Sequence, residues 1–599
     1  MPSLQEWIHK MEVGEGTRYI MVVAAVLGLL ALTALYDIRE FKNFSTEEAM
    51  DSAQLARNIA EGRGYTTQFI RPLSVLLLQR GATPGIPVLQ KDHPDLANPP
   101  AYPVILAGLM KLLPIQYSMK SPFRTYQPEM LIALLNQLFF FAAVLMVFRL
   151  ALRLFDSGVA WVSAIVFAGT DLLWRFSVSG LSTMFLLCLV LVMMWCLVVI
   201  EQNSREGTRG TLWFVMMGIA VGVLAGLGAL TRYSCGWLIF PVLGFVLWIA
   251  GARRWLVGSA VGVTFLLVVS PWLARNFALS GTLFGTAGFS VYAETEVFPE
   301  NRIERYLNGD LDNEIEVAGA GAIFRKLMSG TADLLKRDLP QLGGTWLAAF
   351  FLVSLIVPFR NPALVRLRVL FVGCLAVLSI AQVLGRTHLS SASPEVNSEN
   401  LLLLVLPVAV ILGVGLFFLL LDQIEFSFAP FRVAVVLGFV SVVCAPFALT
   451  FLPPRSSPIP WPPYYPPWIQ DVGGWFSRDE MLMSDMPWAV AWYGDRKCIW
   501  LTLDAPSDNH RKSAADFFSI YDYQKPISGL YLTTLTSNEA IYAAALKSPK
   551  VAWGEFMQTS LIKKSMPSGF PLKYANSRFM EEGQQLLLAD RVRWNLRSK

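Results

Sequence analysis

Three acidic residues stand close together shortly after the first apolar segment of this 599-residue chain. Glu48 and Asp51 are three residues apart, and Glu47 and Asp51 are four apart, so a helix would place the acids on one face. Carboxylates that crowd one another tend to have raised pKa values, and a raised pKa suits a general base. Ordinary acidic capping of a helix start is the alternative explanation for these residues.

The run STEEAMDSAQLARNIAEGRGY predicts the helix that carries these acids. Ser45 or Thr46 can cap its start, and acids in the first turn suit the helix macrodipole. Gly62 and Gly64 end the helix. Four alanines form a small apolar stripe that can lie against other helices: Ala49, Ala53, Ala56 and Ala60.

Four arginines stand at the predicted ends of long apolar segments: Arg71, Arg232, Arg275 and Arg386. A planar guanidinium binds phosphate oxygens in pairs, so these residues could hold a phosphate at a membrane surface. Snorkelling of a long side chain to water is the alternative. Arg57 is expected to pair with a neighbouring carboxylate.

Two of the four histidines lie in polar stretches beside acids. His93 and Asp95 stand in KDHPDLANPPAYP, where they could hold a divalent metal together with an acid of the first helix; a simple turn is the alternative. His388 stands in RTHLSSASPEVNSEN with Glu399 and Asn400, and substrate contact is plausible there.

The composition identifies the elements that must position these residues. The chain is 54% hydrophobic and only 16% charged, with a mean hydropathy of +0.49, whereas about a quarter of a soluble domain is charged. This indicates a polytopic membrane protein and excludes a disordered chain, a coiled coil and a disulfide scaffold. A net charge of +5 gives no support to nucleic-acid binding. Gly-rich nucleotide loops, HExxH, GxSxG and paired CxxC motifs are absent from the sequence.

A helix that crosses the hydrocarbon needs about 20 mostly apolar residues. Eleven segments are predicted to span the membrane: about 18–36, 129–150, 157–175, 179–200, 211–231, 236–251, 255–273, 341–358, 364–384, 401–421 and 432–452. The first is predicted to be an uncleaved anchor. Segment 101–115 is too short and is predicted to be an interfacial or re-entrant helix.

Basic residues in the short loops predict the orientation. Twelve of them lie in one set of alternating loops: Lys10, Arg18, Arg149, Arg153, Arg205, Arg209, Arg253, Arg254, Arg360, Arg366, Arg368 and Arg432. These loops, and with them the N-terminus, are predicted to be cytoplasmic, in a bacterial-type inner membrane. The long segments 37–128 and 274–340 and the tail are then outside.

The tail after the last span begins with a Pro-rich run, 453–468, which is predicted to be a stiff spacer after a membrane domain that covers residues 1–452. Residues 469–599 alternate short apolar runs with helical patterns, which predicts a small extracytoplasmic α/β domain. This domain is expected to be a lid or an acceptor-binding module.

Several short motifs occur in a fixed order along the chain: Glu48 to Arg57, Gly62 to Tyr65, NPPAYP, LTRY and SPWLARN. This order, together with a large first outer loop and an outer tail, resembles the GT-C superfamily of membrane glycosyltransferases. It is similar in particular to the protein O-mannosyltransferases and to the lipid A aminoarabinose transferases, a resemblance of the glycosyltransferase family 39 type. The resemblance implies a helical polytopic membrane fold with a C-terminal α/β domain.

The resemblance also implies an inverting transferase of the cell envelope, which moves a hexosyl or pentosyl unit from a polyprenyl-phosphate-linked donor. The acceptor would be a lipid, a glycan or a protein, attacked through a hydroxyl or phosphate. The family's catalytic acid stands eight residues before Ala56, which is Glu48 here, where Asp is usual. Asp51 lies one turn further, and both are retained as candidates for the base, with Glu47 as a third choice. The residues that would contact substrate are Glu47, Arg57, Arg71, Tyr102, Arg232, Tyr233, Arg275, Asn276, Arg386, His388, Glu399 and Asn400. A divalent metal at His93 and Asp95 is the one cofactor the pattern allows.

Two other functions compete with this one. A transporter or flippase of a lipid-linked glycan precursor would place charged residues inside several spans. Here the predicted spans are nearly free of charge, and Asp171, near an outer end, comes closest. A non-catalytic scaffold with an outer binding domain would leave the acids and arginines without a role.

Overall fold

The structure is a computed structural model that describes residues 15–82, 86–119, 125–340, 342–357, 359, 361–425, 429–452, 465–506, 516–536, 552–560, 566–567, 569–576 and 585–594. Its α-helices in chain order are α1 Glu15–Glu40, α2 Glu47–Ala60, α3 Pro72–Gly81, α4 Ala101–Leu112, α5 Gln127–Leu154, α6 Ser157–Ala168, α7 Asp171–Val178, α8 Thr183–Glu206, α9 Thr211–Thr231, α10 Ile239–Ile249, α11 Arg254–Ser280, α12 Leu311–Asp333, α13 Thr345–Ser354, α14 Pro362–Leu384, α15 His388–Ala392, α16 Leu406–Leu421, α17 Ala429–Leu449, α18 Pro466–Trp475, α19 Pro487–Gly494, α20 Phe517–Tyr523 and α21 Ala552–Gln558. The strands are β1 Thr66–Thr67, β2 Phe69–Ile70, β3 His93–Pro94, β4 Met481–Ser484, β5 Lys497–Trp500, β6 Ile527–Leu532, β7 Tyr574–Ala575 and β8 Leu586–Ala589.

The protein is an integral membrane protein, and the prediction of a helical polytopic fold is confirmed. Within the described residues, seven helices are long and apolar enough to cross a membrane, or eight when the bent pair of α6 and α7 is counted as one span. The seven are helices or helix segments of α1, α5, α8, α9, α11, α14 and α17. Each of the eleven predicted segments contains at least one helix.

The remaining predicted spans are shorter or interrupted helices. Segment 157–175 is broken by a bend of 54° between α6 and α7, at a residue, Gly169, that lies against Cys444. A side chain at Gly169 would place its Cβ only 2.3 Å from the Cys444 sulfur, so the close approach requires glycine. The short α4, α13 and α16 and the segment Tyr233–Ile249 are apolar but below the usual spanning length.

The helices divide into buried and lipid-facing groups. Helix α16 is buried almost throughout its length and packs against α13 and α6, and α8 is mostly buried against α5 and α9. In contrast, α11 and α17 expose many of their apolar side chains, among them Leu266 and Leu267. Such apolar exposure is expected where a helix faces lipid rather than protein.

A six-stranded sheet forms the core of the tail, in the order β2-β5-β4-β6-β8-β7. The first four of these strands are parallel, whereas β8 and β7 are antiparallel. The edge strand β2 comes from the long loop after α1: Phe69 pairs with Cys498, whose backbone N–H donates to the Gln68 carbonyl at 2.8 Å. The α/β tail predicted at 469–599 therefore contains a strand from the loop that also carries Arg71. The greater part of the predicted spacer, 453–464, lies outside the described residues.

The tail is joined to the helical part by buried polar contacts. Helix α19 packs against α2, and the indole N–H of Trp492 donates to Glu129 at the start of α5 over 2.7 Å. The Gln68 amide donates to Asp495 over 3.0 Å. We call the side of the bundle on which α2, α3, the loop 281–310, the segment 385–400 and the sheet meet the large-loop face.

Candidate functional site

Helix α2 carries the three acids into the middle of the large-loop face. It begins after Thr46 with Glu47 and Glu48 in its first turn, and Gly62 and Gly64 follow it in left-handed conformations, as the sequence predicts. Most of the helix is buried, including its alanine stripe, because α4 and α19 pack on it. The acids therefore stand on a fixed element rather than on a loop.

Asp51 is completely buried and has hydrogen bonds to both carboxylate oxygens. Its Oδ2 accepts from Arg71 at 3.0 Å and from Asn98 at 2.8 Å, and its Oδ1 accepts from Gln54 at 3.1 Å. Three of the roughly four acceptor directions of this carboxylate are therefore occupied by protein donors. Asp51 ties α2 to the start of α3 and to the NPPAYP motif.

Glu48 lies in a different environment, because its side chain is only partly buried. Its Oε1 accepts from the hydroxyl of Ser398 and, at 3.3 Å, from the Ser398 backbone N–H. Burial raises the pKa of Glu48 to about 7, against the lowering effects of the Ser398 hydroxyl and of the Arg232 charge. Its other oxygen, Oε2, has no hydrogen-bond partner among the described residues. Glu48 can therefore change protonation state near neutral pH and keeps one oxygen free.

Glu47, on the same helix turn, belongs to a network of charged groups. His388 places its Nε2 3.3 Å from Glu47 and its Nδ1 3.9 Å from Glu304. Arg71 lies 3.0 Å from Glu304 and 4.0 Å from Glu47. Burial alone would lower the pKa of His388, but the adjacent carboxylate of Glu47 raises it to about 9. The network joins α2, α3, the loop 281–310 and α15.

The tail contributes an aromatic side chain to this network. The Trp500 ring lies 5.5 Å from the His388 ring and 5.7 Å from the Phe69 ring. Phe69 is in turn covered by the guanidinium of Arg71, 4.0 Å above its centroid. Because Trp500 ends β5 and Phe69 begins β2, the sheet of the tail positions the cations beside the acids.

Arg232 follows the last residue of α9 and faces the acids. Its charge is felt by Glu48 and by Glu399, yet its side chain makes no hydrogen bond and no ion pair to any described residue. An arginine in this situation retains all five N–H donors for a ligand. It is the side chain of this face that best fits a phosphate next to Glu48.

Arg275, near the end of α11, is held differently. It donates to the Asp95 carbonyl at 2.7 Å and to the Asn276 amide oxygen at 2.9 Å, and it lies over the rings of Tyr65 and Trp272. Carbonyl and aromatic groups thus hold the Arg275 guanidinium in place. No carboxylate among the described residues lies within ion-pair distance of it.

Tyr233 and Asn276 belong to the same cluster as Arg275. The Asn276 amide donates to the Tyr233 hydroxyl over 3.1 Å, and the Trp272 indole N–H donates to the same hydroxyl over 2.7 Å. The LTRY and SPWLARN motifs, which the sequence separates by about forty residues, therefore meet at one point.

His93 and Asp95 are both buried, in and just after β3. His93 shares a 2.7 Å hydrogen bond with Ser74, and Asp95 accepts from the Asn98 backbone over 2.8 Å. Within the described residues, no group of three or more His, Cys, Asp and Glu side chains is arranged to hold a metal ion. Since these side chains do not fit a metal site, no step of the proposed chemistry is assigned to a metal.

Two further sequence candidates lie away from the acids. Arg57, on the opposite end of α2, forms ion pairs with Glu61 at 2.9 Å and Asp495 at 3.2 Å, which agrees with the expected carboxylate pairing. The Tyr102 hydroxyl is buried in the bundle and donates to the Gly180 carbonyl over 2.9 Å.

The segment 385–400 brings the last candidates to this face. Glu399 accepts from the Thr387 backbone N–H at 3.0 Å and from the hydroxyls of Thr387 and Ser390, so it closes a loop around α15. Arg386 lies 3.5 Å from Asp333 and 3.6 Å from Asp338. Asn400 is partly exposed beside them.

Four residues of the site have no assignment from sequence reasoning: Asn98, Glu304, Ser398 and Trp500. Asn98 opens the NPPAYP motif and Ser398 precedes Glu399, so each stands within a stretch that attracts attention. Nothing in the sequence around Glu304 or Trp500 indicates their contacts with His388, because both are brought there by tertiary packing. The large-loop face therefore combines Glu48, which can change protonation state, Asp51, which is held by protein donors, and Arg232, which makes no hydrogen bond to any described residue.

Comparison with known proteins identifies the class. Residues 99–274 match a family model described as dolichyl-phosphate-mannose-protein mannosyltransferase. This stretch runs from the NPPAYP motif to SPWLARN and includes α4 to most of α11. No curated protein sequence matches the chain significantly.

Solved structures extend the similarity to nearly the whole chain. The archaeal oligosaccharyltransferase AglB from Archaeoglobus fulgidus, in complex with an inhibitory peptide and a dolichol-phosphate, is 12% identical with a TM-score of 0.52, over 90% of this chain and 72% of that chain. The apo form of the A. fulgidus oligosaccharyltransferase is 11% identical with a TM-score of 0.51, over 87% of this chain and 71% of that chain. Apo ArnT from Cupriavidus metallidurans is 11% identical with a TM-score of 0.50, over 96% of this chain and 98% of that chain.

The helical bundle with a large-loop face and an α/β tail is thus the fold of a class of membrane glycosyltransferases. More particularly, the resemblance to the GT-C superfamily is confirmed by the family model and by the structural similarity together. At 11–12% identity the structural similarity establishes the fold, and the chemistry must be argued from the residues of this chain.

Proposed function

We propose that this protein is an inverting glycosyltransferase that moves a hexosyl or pentosyl unit from a polyprenyl-phosphate-linked donor to an acceptor hydroxyl or phosphate. The observation that carries the proposal is that Glu48, partly exposed with one oxygen unbonded, lies within the electrostatic influence of Arg232. Arg232 itself forms no ion pair with a carboxylate among the described residues. Such a site can accept a proton on one side and stabilise a phosphate on the other.

The reaction is a single displacement. The acceptor hydroxyl loses its proton to Oε2 of Glu48 as its oxygen attacks the anomeric carbon of the donor. The bond between that carbon and the phosphate oxygen breaks, and the lipid phosphate leaves with its electron pair. One displacement inverts the anomeric configuration. The product is a glycosylated acceptor and a free polyprenyl phosphate.

The leaving phosphate needs cations that are already in place. Arg232 supplies free N–H donors, and Arg275 supplies a second positive charge fixed by carbonyl oxygens. Arg71 is less suited to this role, because Asp51 and Glu304 already neutralise it. We assign Arg71 and Asp51 to positioning, and Glu48 to proton transfer.

The orientation of the chain belongs to the same proposal. The basic residues of the short loops support an orientation in which those loops are cytoplasmic and the large-loop face lies outside a bacterial-type inner membrane. A lipid-linked donor suits this location because its tail lies in the bilayer and its phosphate at the surface, level with arginines at helix ends. The acceptor is then a lipid, a glycan or a protein of the cell envelope.

Lipid that co-purifies with the protein tests the donor class. The full chain is extracted in mild detergent, and bound lipids are analysed by mass spectrometry for wild type and for Arg232→Gln. The proposal predicts a polyprenyl phosphate, with or without one sugar, that is depleted in Arg232→Gln and retained in Arg175→Gln, whose side chain pairs with Glu395 at an exposed position. Equal recovery of bulk phospholipid alone from the three proteins would contradict it.

A further inference from the structure

Lys326, in the second half of helix α12, is a buried cation without an acidic partner. It is 7% exposed, and no carboxylate among the described residues lies within ion-pair distance of its ammonium group. Burial lowers the pKa of Lys326 to about 8, although the charges of Glu399 and Glu294 act in the opposite direction. A lysine is seldom buried unless its charge is compensated, so the neighbouring segments must supply that compensation.

Three backbone carbonyls surround the ammonium group of Lys326. The Nζ atom donates to the carbonyl oxygens of Arg386 at 2.8 Å, Ser290 at 3.0 Å and Val291 at 3.4 Å. An ammonium group has three N–H donors, so one donor is available for each carbonyl. Two of the carbonyls belong to the loop between α11 and α12, and the third belongs to the segment that follows α14. Lys326 therefore ties two separate backbone segments to α12.

The segment that follows α14 supplies two partners of the acids on α2. His388, two residues beyond Arg386, places its Nε2 3.3 Å from Glu47. Ser398 binds Oε1 of Glu48 through its hydroxyl and its backbone N–H. The backbone of this segment therefore determines where both partners lie.

A hydrogen-bonded contact links Arg386 to Ser398 across this segment. Thr387, the residue after Arg386, donates to Glu399 from its backbone N–H at 3.0 Å and from its hydroxyl. Glu399 is the residue after Ser398. Because the two ends of the segment are closed on each other in this way, a displacement at Arg386 also displaces Ser398.

The loop on the other side of Lys326 is itself held in place. Its 3₁₀ helix Gly285–Tyr292 contains two of the three carbonyls. The backbone N–H of Thr286 donates to the Leu96 carbonyl over 3.1 Å. At Gly285, which has a φ of +59°, a Cβ would lie 2.1 Å from the same carbonyl oxygen, so this close approach requires glycine. Lys326 thus anchors the segment after α14 to a loop that is already docked.

We propose that Lys326 is a positioning residue for the transfer reaction. By holding the Arg386 carbonyl, it keeps the segment 385–400 in place. That segment presents Ser398 to Glu48, so the loss of Lys326 acts on the base from a distance. The effect on catalysis rests on the proposed function, whereas the anchoring of the segment rests on the contacts of Lys326 alone.

The test compares wild type, Lys326→Met, Lys326→Arg and Lys336→Met as full chains reconstituted in lipid. Lys326→Met removes all three donors, and Lys326→Arg keeps the charge and the donors. Lys336→Met is the matched control, because it removes an exposed ammonium group from the next turns of the same stretch. If Lys326→Met does not fold, Lys326→Gln, which keeps two N–H donors without the charge, takes its place. Melting temperatures verify the fold of every form.

Amide hydrogen exchange of peptides that cover 385–400 measures the anchoring without turnover. Lys326→Met is expected to exchange about tenfold faster in this segment, because a hydrogen bond from a charged group is lost. Lys326→Arg and Lys336→Met should exchange like wild type. An exchange rate in Lys326→Met equal to that of wild type would overturn the inference.

Transfer kinetics with undecaprenyl phosphate that bears one labelled sugar connect the anchoring to the base. In Lys326→Met, kcat should fall about tenfold with an unchanged donor KM. The rate should also begin to fall at a higher pH on acidification, as in Ser398→Ala, and Lys326→Arg should restore both properties. The double variant Lys326→Met with Ser398→Ala should be no slower than the slower single variant, because both changes remove the same contact. Losses that multiply, or a raised KM with an unchanged kcat, would contradict this role.

The two measurements distinguish a failure of this inference from a failure of the proposed function. If exchange is faster in Lys326→Met but no form transfers a sugar, wild type included, the anchoring stands and the proposed function fails. If wild type transfers the sugar and Lys326→Met matches it in rate, pH dependence and exchange, the proposed function stands and the role of Lys326 is refuted.

Discussion

Ser398 donates two hydrogen bonds to one oxygen of Glu48, from its hydroxyl and from its backbone N–H, across 350 residues of chain. This contact fixes the carboxylate by a single oxygen, and the other oxygen has no hydrogen-bond partner among the described residues. Asp51, one turn along the same helix, has both oxygens occupied by protein donors. Two acids that local sequence cannot separate thus have different environments in the folded protein.

The pH dependence of transfer follows from the pKa of Glu48. Burial raises this pKa from 4.5 to about 7, and a base must be ionised, so activity is lost as pH falls through about 7. Below that point the rate should fall about tenfold for each pH unit. The Ser398 hydroxyl favours the ionised form, so Ser398→Ala is expected to move the midpoint upward. Initial rates from pH 5 to 9 provide the measurement. If the rates of both proteins do not fall until the pH is below 5, the assignment is contradicted.

Arg232→Gln is expected to affect both donor binding and the base. The loss of the free guanidinium should lower kcat/KM for the lipid-linked donor by about 10²-fold, the effect of removing one charge-stabilising donor. The Arg232 charge also lowers the pKa of Glu48. Its removal should therefore raise the pH at which the transfer rate begins to fall on acidification. Arg175→Gln is the control, because its partner Glu395 is exposed. If Arg232→Gln leaves both kcat/KM and the pH dependence of the rate unchanged, the donor phosphate binds elsewhere.

Trp500→Ala tests whether the tail builds the site rather than covering it. The ring is 3% exposed and contacts Phe69, Trp488 and His388. Its truncation should destabilise the fold by about 3–5 kcal/mol and lower the apparent melting temperature.

Tyr523→Ala removes a ring that is 76% exposed and is expected to leave the melting temperature unchanged. Thermal unfolding of the proteins in detergent, followed by tryptophan fluorescence or by exposure of buried thiols, gives the comparison. Equal melting temperatures for Trp500→Ala and wild type would show that the contacts of this ring with Phe69, His388 and Trp488 do not stabilise the fold.

The membrane orientation is tested by a cysteine at position 92. Asp92 is well exposed on the large-loop face, whereas the nearby Asp95 is buried, so only the former is accessible to a reagent. Asp92→Cys in whole cells should react with an impermeant maleimide from outside. Arg253→Cys, in a short loop at the opposite end of the bundle, should react only after the membrane is permeabilised. The reverse pattern would overturn the orientation.

Local patterns in the sequence predict a large part of this arrangement. The acid spacing and the glycines at 62 and 64 predict α2, because helix capping and i, i+4 neighbours are local properties. Apolar length predicts the spans, but not the bend next to Gly169, where Cys444 of α17 approaches the backbone closely. Apolar run length alone also overestimates how far α13 and the helix after Tyr233 extend.

Long-range contacts limit what the sequence reveals about the site. Ser398 contacts Glu48 on α2, Glu304 pairs with Arg71, and Trp500 packs on His388. Each contact joins segments that are far apart in the sequence, and no local spacing encodes it. The strand Phe69–Ile70 is only two residues long, too short for an alternating pattern, and it exists because β5 offers it a partner. The same dependence explains why sequence alone leaves Glu48 and Asp51 as equal candidates.

The most direct test compares Glu48→Gln with Asp51→Asn in purified, lipid-reconstituted protein, using transfer from undecaprenyl phosphate bearing one labelled sugar to envelope lipid extract. Glu395→Gln, at an exposed ion pair, serves as the control. Glu48→Gln should lose about 10²–10⁴-fold in kcat with an unchanged melting temperature, because a partly exposed base is removed without disturbing the core. Asp51→Asn should instead be destabilised by about 3–5 kcal/mol, because the ionised partner of buried Arg71 is lost. Full activity in Glu48→Gln would contradict the central claim.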